Sequence, residues 1–454
     1  MTIPRLFPRP SRRPDQAAAS SSGAGGGFAR GFSAMRHRNY RLYWFGQIGS
    51  LVGAWMQSVA QPWLVLELGG SPLQLGAVLA LMFAPSMLFA PIGGVLADRV
   101  DKRRVLMIVN AVAMLQAALL FGLASSGLVE IWHIYILALL AGFVNAVEMP
   151  VRQAFAAELV PTEELTNAIA LNSTSFNLSR VIGPAIAGVT IAVFGVAINF
   201  GINAVSYLSV LVGLWMLDGS ALRRIERPDQ YPSIRASLAE GVRYAVATPT
   251  VLWPLVLLGG TAMFAMNFQT LLPLFTRNTL GLDSGGYGAL FAAMGAGSLV
   301  GSLMLAFTTS QRPMLGLILG GGALFLGLEI ALGFVSSPLA AFPIVAGIGL
   351  ASMLMVNTIN VTIQNSVPDV LRGRVMSLYV TVFAGTAPLG GLLAGALAES
   401  FGAPFAFSLG ATLAVGVLAL VAWQLRSVQM PRGTISTGNQ KPAERPREIA
   451  SRAA

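Results

Sequence analysis

The sequence predicts an all-α polytopic membrane protein: twelve transmembrane helices arranged as two parallel-repeat six-helix bundles. Three observations predict it. Of 454 residues, 55% are hydrophobic and only 11% charged, against about 25% charged in a typical soluble domain, and the mean hydropathy is +0.69. Apolar runs long enough to cross a bilayer, about 20 residues each, recur twelve times along the chain. The second half of the chain also repeats the first at a single offset.

The runs lie near 42–67, 73–97, 105–125, 132–153, 165–194, 197–217, 250–275, 285–309, 313–336, 338–364, 373–398 and 403–425. Hydrocarbon offers the backbone no water, so runs of this length must close their own hydrogen bonds as helices. Residues 1–35 and 427–454 carry no such run and read as disordered tails. Ser11-Arg12-Arg13 is followed by Pro14-Asp15 instead of the apolar stretch that a twin-arginine signal needs. Between the tails, 36–217 and 249–426 are the two bundles, joined by a cytoplasmic loop over 218–248.

Cations orient the chain. Of the 29 Lys and Arg residues, all but two fall on one side. They sit in the tails, in 98–104 (Arg99, Lys102, Arg103, Arg104) and in the 218–248 loop, with Arg152, Arg312, Arg372 and Arg374 at other connections. Arg277 is on the opposite side and Arg180 lies inside a span. By the positive-inside rule the cationic side is cytoplasmic, with both termini. The net charge of +10 therefore describes a membrane face and gives no reason to expect nucleic acid. Arg far outnumbers Lys, a compositional pointer to a GC-rich bacterial genome and so to a bacterial inner membrane.

The repeat needs no gap over about forty positions at an offset of 207. Val160-Pro161 meets Val367-Pro368, Leu171 meets Leu378 and Phe176 meets Phe383. Gly183 meets Gly390, Gly188 meets Gly395, Phe194-Gly195 meets Phe401-Gly402 and Phe200 meets Phe407. Six spans separate each pair, so the two bundles run in the same sense, the plan of many secondary transporters. Enzyme chemistry finds little to use. There is no cysteine, the histidines are His37 and His133, and no phosphate-cradling GxxxxGK[ST] loop exists. No enzyme, metal or cofactor is expected.

After the second span stands Gly94-Val-Leu-Ala-Asp98-Arg99-Val-Asp101-Lys102-Arg103-Arg104. It resembles the G-x-x-x-D-R-x-G-R-[KR] loop of the major facilitator superfamily, with Asp101 where the second glycine is usual. The resemblance implies a gating set of Gly94, Asp98, Arg99, Lys102 and Arg103 with Arg152 and Gly373, in which Asp98 latches onto the start of helix 11, near Gly373. A carboxylate at a helix N-terminus gains about 0.3–1 kcal/mol. In the fifth span Gly183-Pro184-Ala-Ile-Ala187-Gly188 is similar to the G-P-x-x-G-G element of antiporter branches, a bendable helix contact. The stretches Asn145–Phe155, Glu158–Pro161, Asn167–Ser173 and Arg180–Pro184, with Gly53–Gln57 and Trp63–Val65, resemble a bacterial exporter branch that holds the enterobactin exporter and macrolide efflux proteins. Ala54 stands where many members of that branch have an acidic residue.

Polar residues inside spans supply the candidate site. Gln47, Ser50, Gln57 and Gln61 share one helical stripe, which must face protein or water. Asn357, Asn360 and Gln364 repeat this in span ten; Asn267, Gln269 and Thr270 do so more weakly in span seven. The resemblance implies that helices 1, 4, 7 and 10 line a cavity, which makes Gln57, Gln61, Asn145, Asn267, Gln269, Asn357 and Asn360 candidate substrate contacts. The competing reading is interhelical hydrogen bonding. Charges inside spans are functional candidates by default. Glu148 and Arg152 form an i,i+4 pair, either structural or a proton site. Arg180, also a proton-coupling candidate, lies about 18 Å from Glu148 in depth and either attracts an anionic substrate group or bonds backbone and Asn177. Glu329 in span nine is a second proton candidate, or a structural or snorkelling residue.

These readings together predict a secondary active exporter of a small, amphipathic organic molecule, drug- or siderophore-like, driven by proton antiport. The expected partners are the solute, protons and the lipid bilayer, and the expected state is a monomer. An importer, and a non-transporting sensor or partner subunit of the same fold, remain the alternatives.

Overall fold

The computed structural model describes residues 32–99, 101–223, 234–307 and 314–426. Apart from short 3-10 turns and one π-helical turn, the elements are α-helices. They are α1 (Arg38–Glu67), α2 (Pro72–Arg99), α3 (Lys102–Ser125), α4 (Ile131–Leu159), α5 (Leu165–Phe194), α6 (Ala197–Trp215), α7 (Ile234–Ala247), α8 (Pro249–Phe264), α9 (Phe268–Leu274), α10 (Ser284–Phe307), α11 (Met314–Leu332), α12 (Pro338–Ser366), α13 (Asp369–Phe401) and α14 (Ala403–Leu425). The seventh span is broken at Ala265–Asn267 into α8 and α9, and α9 runs on through the π turn Phe275–Thr279.

Among the described residues eleven segments are long and apolar enough to cross a membrane. Helix α1 has the length, 30 residues, but its glutamines and serines dilute its hydropathy. It completes the expected twelve. Two boundaries differ from expectation. The second half of the 218–248 stretch is not loop but helix α7, whose Ala245 is buried and whose Tyr244 hydroxyl donates to the Ser366 carbonyl at 2.9 Å. Its high charge had disguised it. Helix α13 starts at Asp369, so Gly373 sits inside its second turn and not at its N-terminus.

Packing within α1–α6 is repeated by α8–α14. The pairs α1·α6, α2·α4, α3·α6, α1·α5 and α3·α4 have as counterparts α8·α14, α10·α12, α11·α14, α8·α13 and α11·α12. The repeated Phe-Gly pairs end α5 and α13 alike, with Gly195 at φ +82° and Gly402 at φ +85°. Only glycine adopts that backbone without strain.

Two seams join the bundles, α2 against α13 and α5 against α10. Each pairs the second helix of one bundle with the fifth of the other, as a twofold axis along the helices requires. Glycines bring the backbones together. A Cβ built on Gly188 would stand 2.8 Å from the Gly288 Cα, and one on Gly395 would stand 2.6 Å from the Pro72 carbonyl oxygen. One on Gly76 would collide with the Gly391 carbonyl. These approaches lie in the halves of the helices farther from Arg38 and Leu425, here called the far end.

Candidate functional site

The stripe predicted on α1 turns into its own bundle. Gln57 and Gln61 are both buried. Asn203 of α6 donates to Gln57 Oε1 at 2.6 Å, and Gln57 Nε2 reaches Gln61 and Gln116 of α3, each at 3.4 Å. Gln116 donates in turn to the Leu137 carbonyl of α4 at 3.2 Å. These side chains tie α1, α3, α4 and α6 together, since a buried amide left unpaired costs about 1–3 kcal/mol. Asn203→Leu should therefore lower stability by roughly that amount, read as an earlier thermal unfolding in detergent. An unchanged midpoint would mean that the network carries no such load.

The other candidates divide. Asn145 is exposed on α4. One turn on, Glu148 pairs with Arg152 at 3.8 Å, both largely buried, so Arg152 belongs to the interior of α4 and not to a connection. Asn357 donates to Ser302 of α10 at 3.1 Å, and Asn360, half-buried, accepts from Gln364. Asn267 is buried and bonds the Met263 carbonyl at 2.9 Å, next to Gly390, where it supports the break in span seven. Gln269 is half-buried on α9.

Glu329 does not snorkel. It is 1% exposed on the α11 face that carries Phe325 and Leu326, and among the described residues neither carboxylate oxygen has a hydrogen-bond partner. Such a group sustains an ionised state only at high cost.

Arg180 sits at the middle of α5 and does not meet Glu148. Its guanidinium lies 5.8 Å from the Trp55 ring of α1, and its Nη1 reaches the Met353 sulfur, at the middle of α12 in the other bundle, at 3.7 Å. Its Nε is buried without a partner among the described residues. Asn177 bonds the Ser173 carbonyl instead. Trp55 meets Phe176 edge-on at 5.7 Å. From Arg180 toward the near end, α5 presents Ser173, Thr174 and Phe176 exposed; in the near halves of α12 and α13, Gln364 and Ser377 are exposed as well. Thr174 and Ser377 donate their hydroxyls to the Ala170 and Arg374 carbonyls of their own helices, at 2.9 and 2.8 Å, whereas the amide of Gln364, exposed on an apolar helix, calls for water.

Gly183 and Gly188 work as spacers on either side of Pro184. A Cβ on Gly183 would stand 2.5 Å from the Trp55 Cβ, whereas Gly188 faces Gly288 across the seam. The predicted hinge thus joins the candidate site to the seam.

At the near end the basic loop is anchored inside its own bundle. Lys102 pairs with Glu158 at 2.6 Å, and Arg103 donates to the Leu214 and Trp215 carbonyls at the end of α6, at 2.8 and 2.9 Å. Cations are favoured at a helix C-terminus. The last turns of α2 carry Gly94, Asp98 and Arg99, whose side chains lie outside the described residues, and with them the expected Asp98 latch.

Sequence reasoning missed two polar links across the far end. Arg277 donates to the Leu66 carbonyl at the end of α1, at 2.6 Å. Glu399, at the end of α13, accepts from the Ser71 hydroxyl at 2.9 Å and from the Leu73 amide, in the first turn of α2, at 3.0 Å. The available signal was a lone charge beside each far-end connection.

Residues 29–444 match the family described as transmembrane secretion effector. The chain is similar to the staphyloferrin A transporter of Staphylococcus aureus (28% identical over 359 residues, 79% of this chain and 89% of that protein). It is also similar to the enterobactin exporter of Escherichia coli O157:H7 (28% over 415 residues, 88% and 96%). Among solved structures, a nucleoside transporter variant superposes with a TM-score of 0.69 at 11% identity, covering 85% of this chain and 99% of that one. A bacterial homologue of the human lysosomal transporter Spinster, inward-facing and occupied, superposes with a TM-score of 0.68 at 15% identity, covering 88% and 99%. These last two likenesses establish the fold.

Proposed function

The chain belongs to the transmembrane secretion effector family of the major facilitator superfamily, and from that premise we propose that it is a proton-driven exporter of a small amphipathic organic molecule. It is a multi-pass membrane transporter and not an enzyme. Its direction, coupling ion and orientation are our reading. In that reading the near end, with both termini, faces the cytoplasm of a bacterium, and a monomer carries the cycle.

One observation carries the proposal. The glycine seams and the Arg277 and Glu399 links join the bundles from mid-depth outward, while exposed polar side chains line the inner halves of α4, α5, α12 and α13. A vestibule closed outside and wet inside is one of the two states that alternating access needs. Solute enters from the cytoplasm or inner leaflet, the bundles rock, and the seams part to release it outside. Kinship with siderophore transporters at 28% identity supports export of a solute of that size class.

Glu148 is the first candidate for the returning proton. It stands one helical turn from the wet Asn145 and already holds Arg152. Protonation would free Arg152 and change the charge of the vestibule wall. Glu329, sealed in α11, is second.

Purified protein in proteoliposomes tests this directly. An imposed pH gradient should drive a member of a compound panel against its concentration, and Glu148→Gln should reduce that accumulation to the gradient-free level. If the wild-type protein is indifferent to the gradient, proton coupling fails. Gradient-driven transport by Glu148→Gln would remove Glu148 from the role and move the assay to Glu329→Gln.

A further inference from the structure

We propose that Arg180, Trp55 and Phe176 form a subsite for the anionic group of an amphipathic solute with a flat apolar body, Met353 closing it from the opposite bundle. The inference rests on the transport reading and names the substrate class within it. An arginine at mid-membrane normally meets a carboxylate or backbone carbonyls. Among the described residues Arg180 meets neither. Its one hydrogen-bond partner there is the Met353 thioether, a weak acceptor, and its Nε is buried without any. Glu148 is committed to Arg152, and Glu329 lies on α11, which packs on α12 and α14, with no partner of its own among the described residues.

A guanidinium offers five donors in a fork that matches a carboxylate, sulfonate or phosphate. Here that fork lacks its acceptor at mid-depth, at the head of the proposed vestibule and where the seams begin. Gly295 lets α10 pack directly on the backbone at this level, since a Cβ there would stand 2.9 Å from the Arg180 carbonyl oxygen. A solute entering from the near end meets the cation before it meets the seal. Trp55 holds one side of the guanidinium, and Phe176, 38% exposed one turn below, offers a ring to an apolar body. An anion seated there would displace Met353 and loosen the side-chain contact between the Arg180 guanidinium and the other bundle. Recognition would thereby be linked to bundle movement.

The probes are aromatic carboxylates and sulfonates, 2-naphthoate among them, each paired with its neutral amide. Binding to full-length protein in phosphatidylcholine nanodiscs is measured by equilibrium dialysis. At least one anion should bind about tenfold or more tightly than its amide, the scale of a lost hydrogen bond to a charged group. Arg180→Gln should bring that pair to within about twofold, and Arg180→Lys should keep part of the preference. Amide binding by the same variants reports that they are folded.

The subsite is overturned if no wild-type preference for an anion exists, or if Arg180→Gln retains it. Added phosphatidylglycerol that competes the preference away would assign the site to lipid headgroups and overturn the solute reading. A preserved anion preference in protein that moves no solute would instead sink the transport reading alone.

Discussion

Gly288→Leu is expected to abolish net transport while leaving a folded, membrane-inserted protein. A Cβ at this position would stand 2.7 Å from the Gly188 nitrogen and 2.8 Å from the Pro184 carbonyl oxygen. Both neighbours are backbone and cannot rotate aside as a side chain could. Overpacking in a fixed core costs about 1–3 kcal/mol. Here the strain has an outlet, because α5 and α10 belong to different bundles and can separate. The variant should therefore occupy outer-open states and fail to close on its return. The natural chain has no cysteine, so Leu79→Cys, placed beside Gly391 in the other seam, supplies a unique thiol. Its labelling by an impermeant maleimide should accelerate, and transport in proteoliposomes should fall to background. Gly316→Leu is the control, since among the described residues nothing lies within 4 Å of a Cβ there. Wild-type transport by Gly288→Leu would show that this seam need not close.

The paired substitution Arg277→Ala and Glu399→Ala should open the outer face without added bulk. Arg277 binds a carbonyl at the C-terminus of α1, and Glu399 binds an amide and a hydroxyl at the N-terminus of α2. Each charge sits at the helix end whose dipole favours it. Hydrogen bonds to charged groups reach about 1.5–3 kcal/mol, and water at the exposed end reduces that to about 1 kcal/mol each, roughly fivefold in population. The two links hold different helices, so their effects should multiply. Maleimide labelling of the thiol introduced by Leu79→Cys should then rise roughly 25-fold when both links are removed. A change within twofold would show that the links are bystanders. If Asp98 engages the start of α13 when the inner end closes, as its motif implies, the antiparallel α2·α13 pair carries a carboxylate latch at each end.

The fold was readable because the bilayer imposes it. Length, apolarity and loop charge describe the solvent as much as the chain, and the Val-Pro and Phe-Gly pairs disclosed the duplication. The site was less readable. Periodicity showed that Gln57 and Gln61 share a face but could not say whether water or Gln116 and Asn203 lay opposite. Those two partners, polar residues in the middle of apolar spans, were the available hint. Charge hid α7, since a cationic stretch resembles a loop until Tyr244 and Ala245 are seen docked. Arg180 stands out in the sequence as a lone cation inside a span, and the fold puts it at the middle of α5. Its neighbours Trp55 and Met353 lie on helices that only the three-dimensional fold brings to it.

The exchange of partners at the seams has a consequence for the order of events. Because α2 grips α13 while α5 grips α10, each bundle holds the other by two arms on opposite sides of one axis. When the halves part symmetrically about that axis, both arms let go together. Any object that wedges one seam, whether a lipid tail, an inhibitor or an engineered side chain, must strain its twin across the molecule. In the proposed cycle the far-end gate would behave as a single cooperative switch, and a blocker bound at either seam should be felt at both.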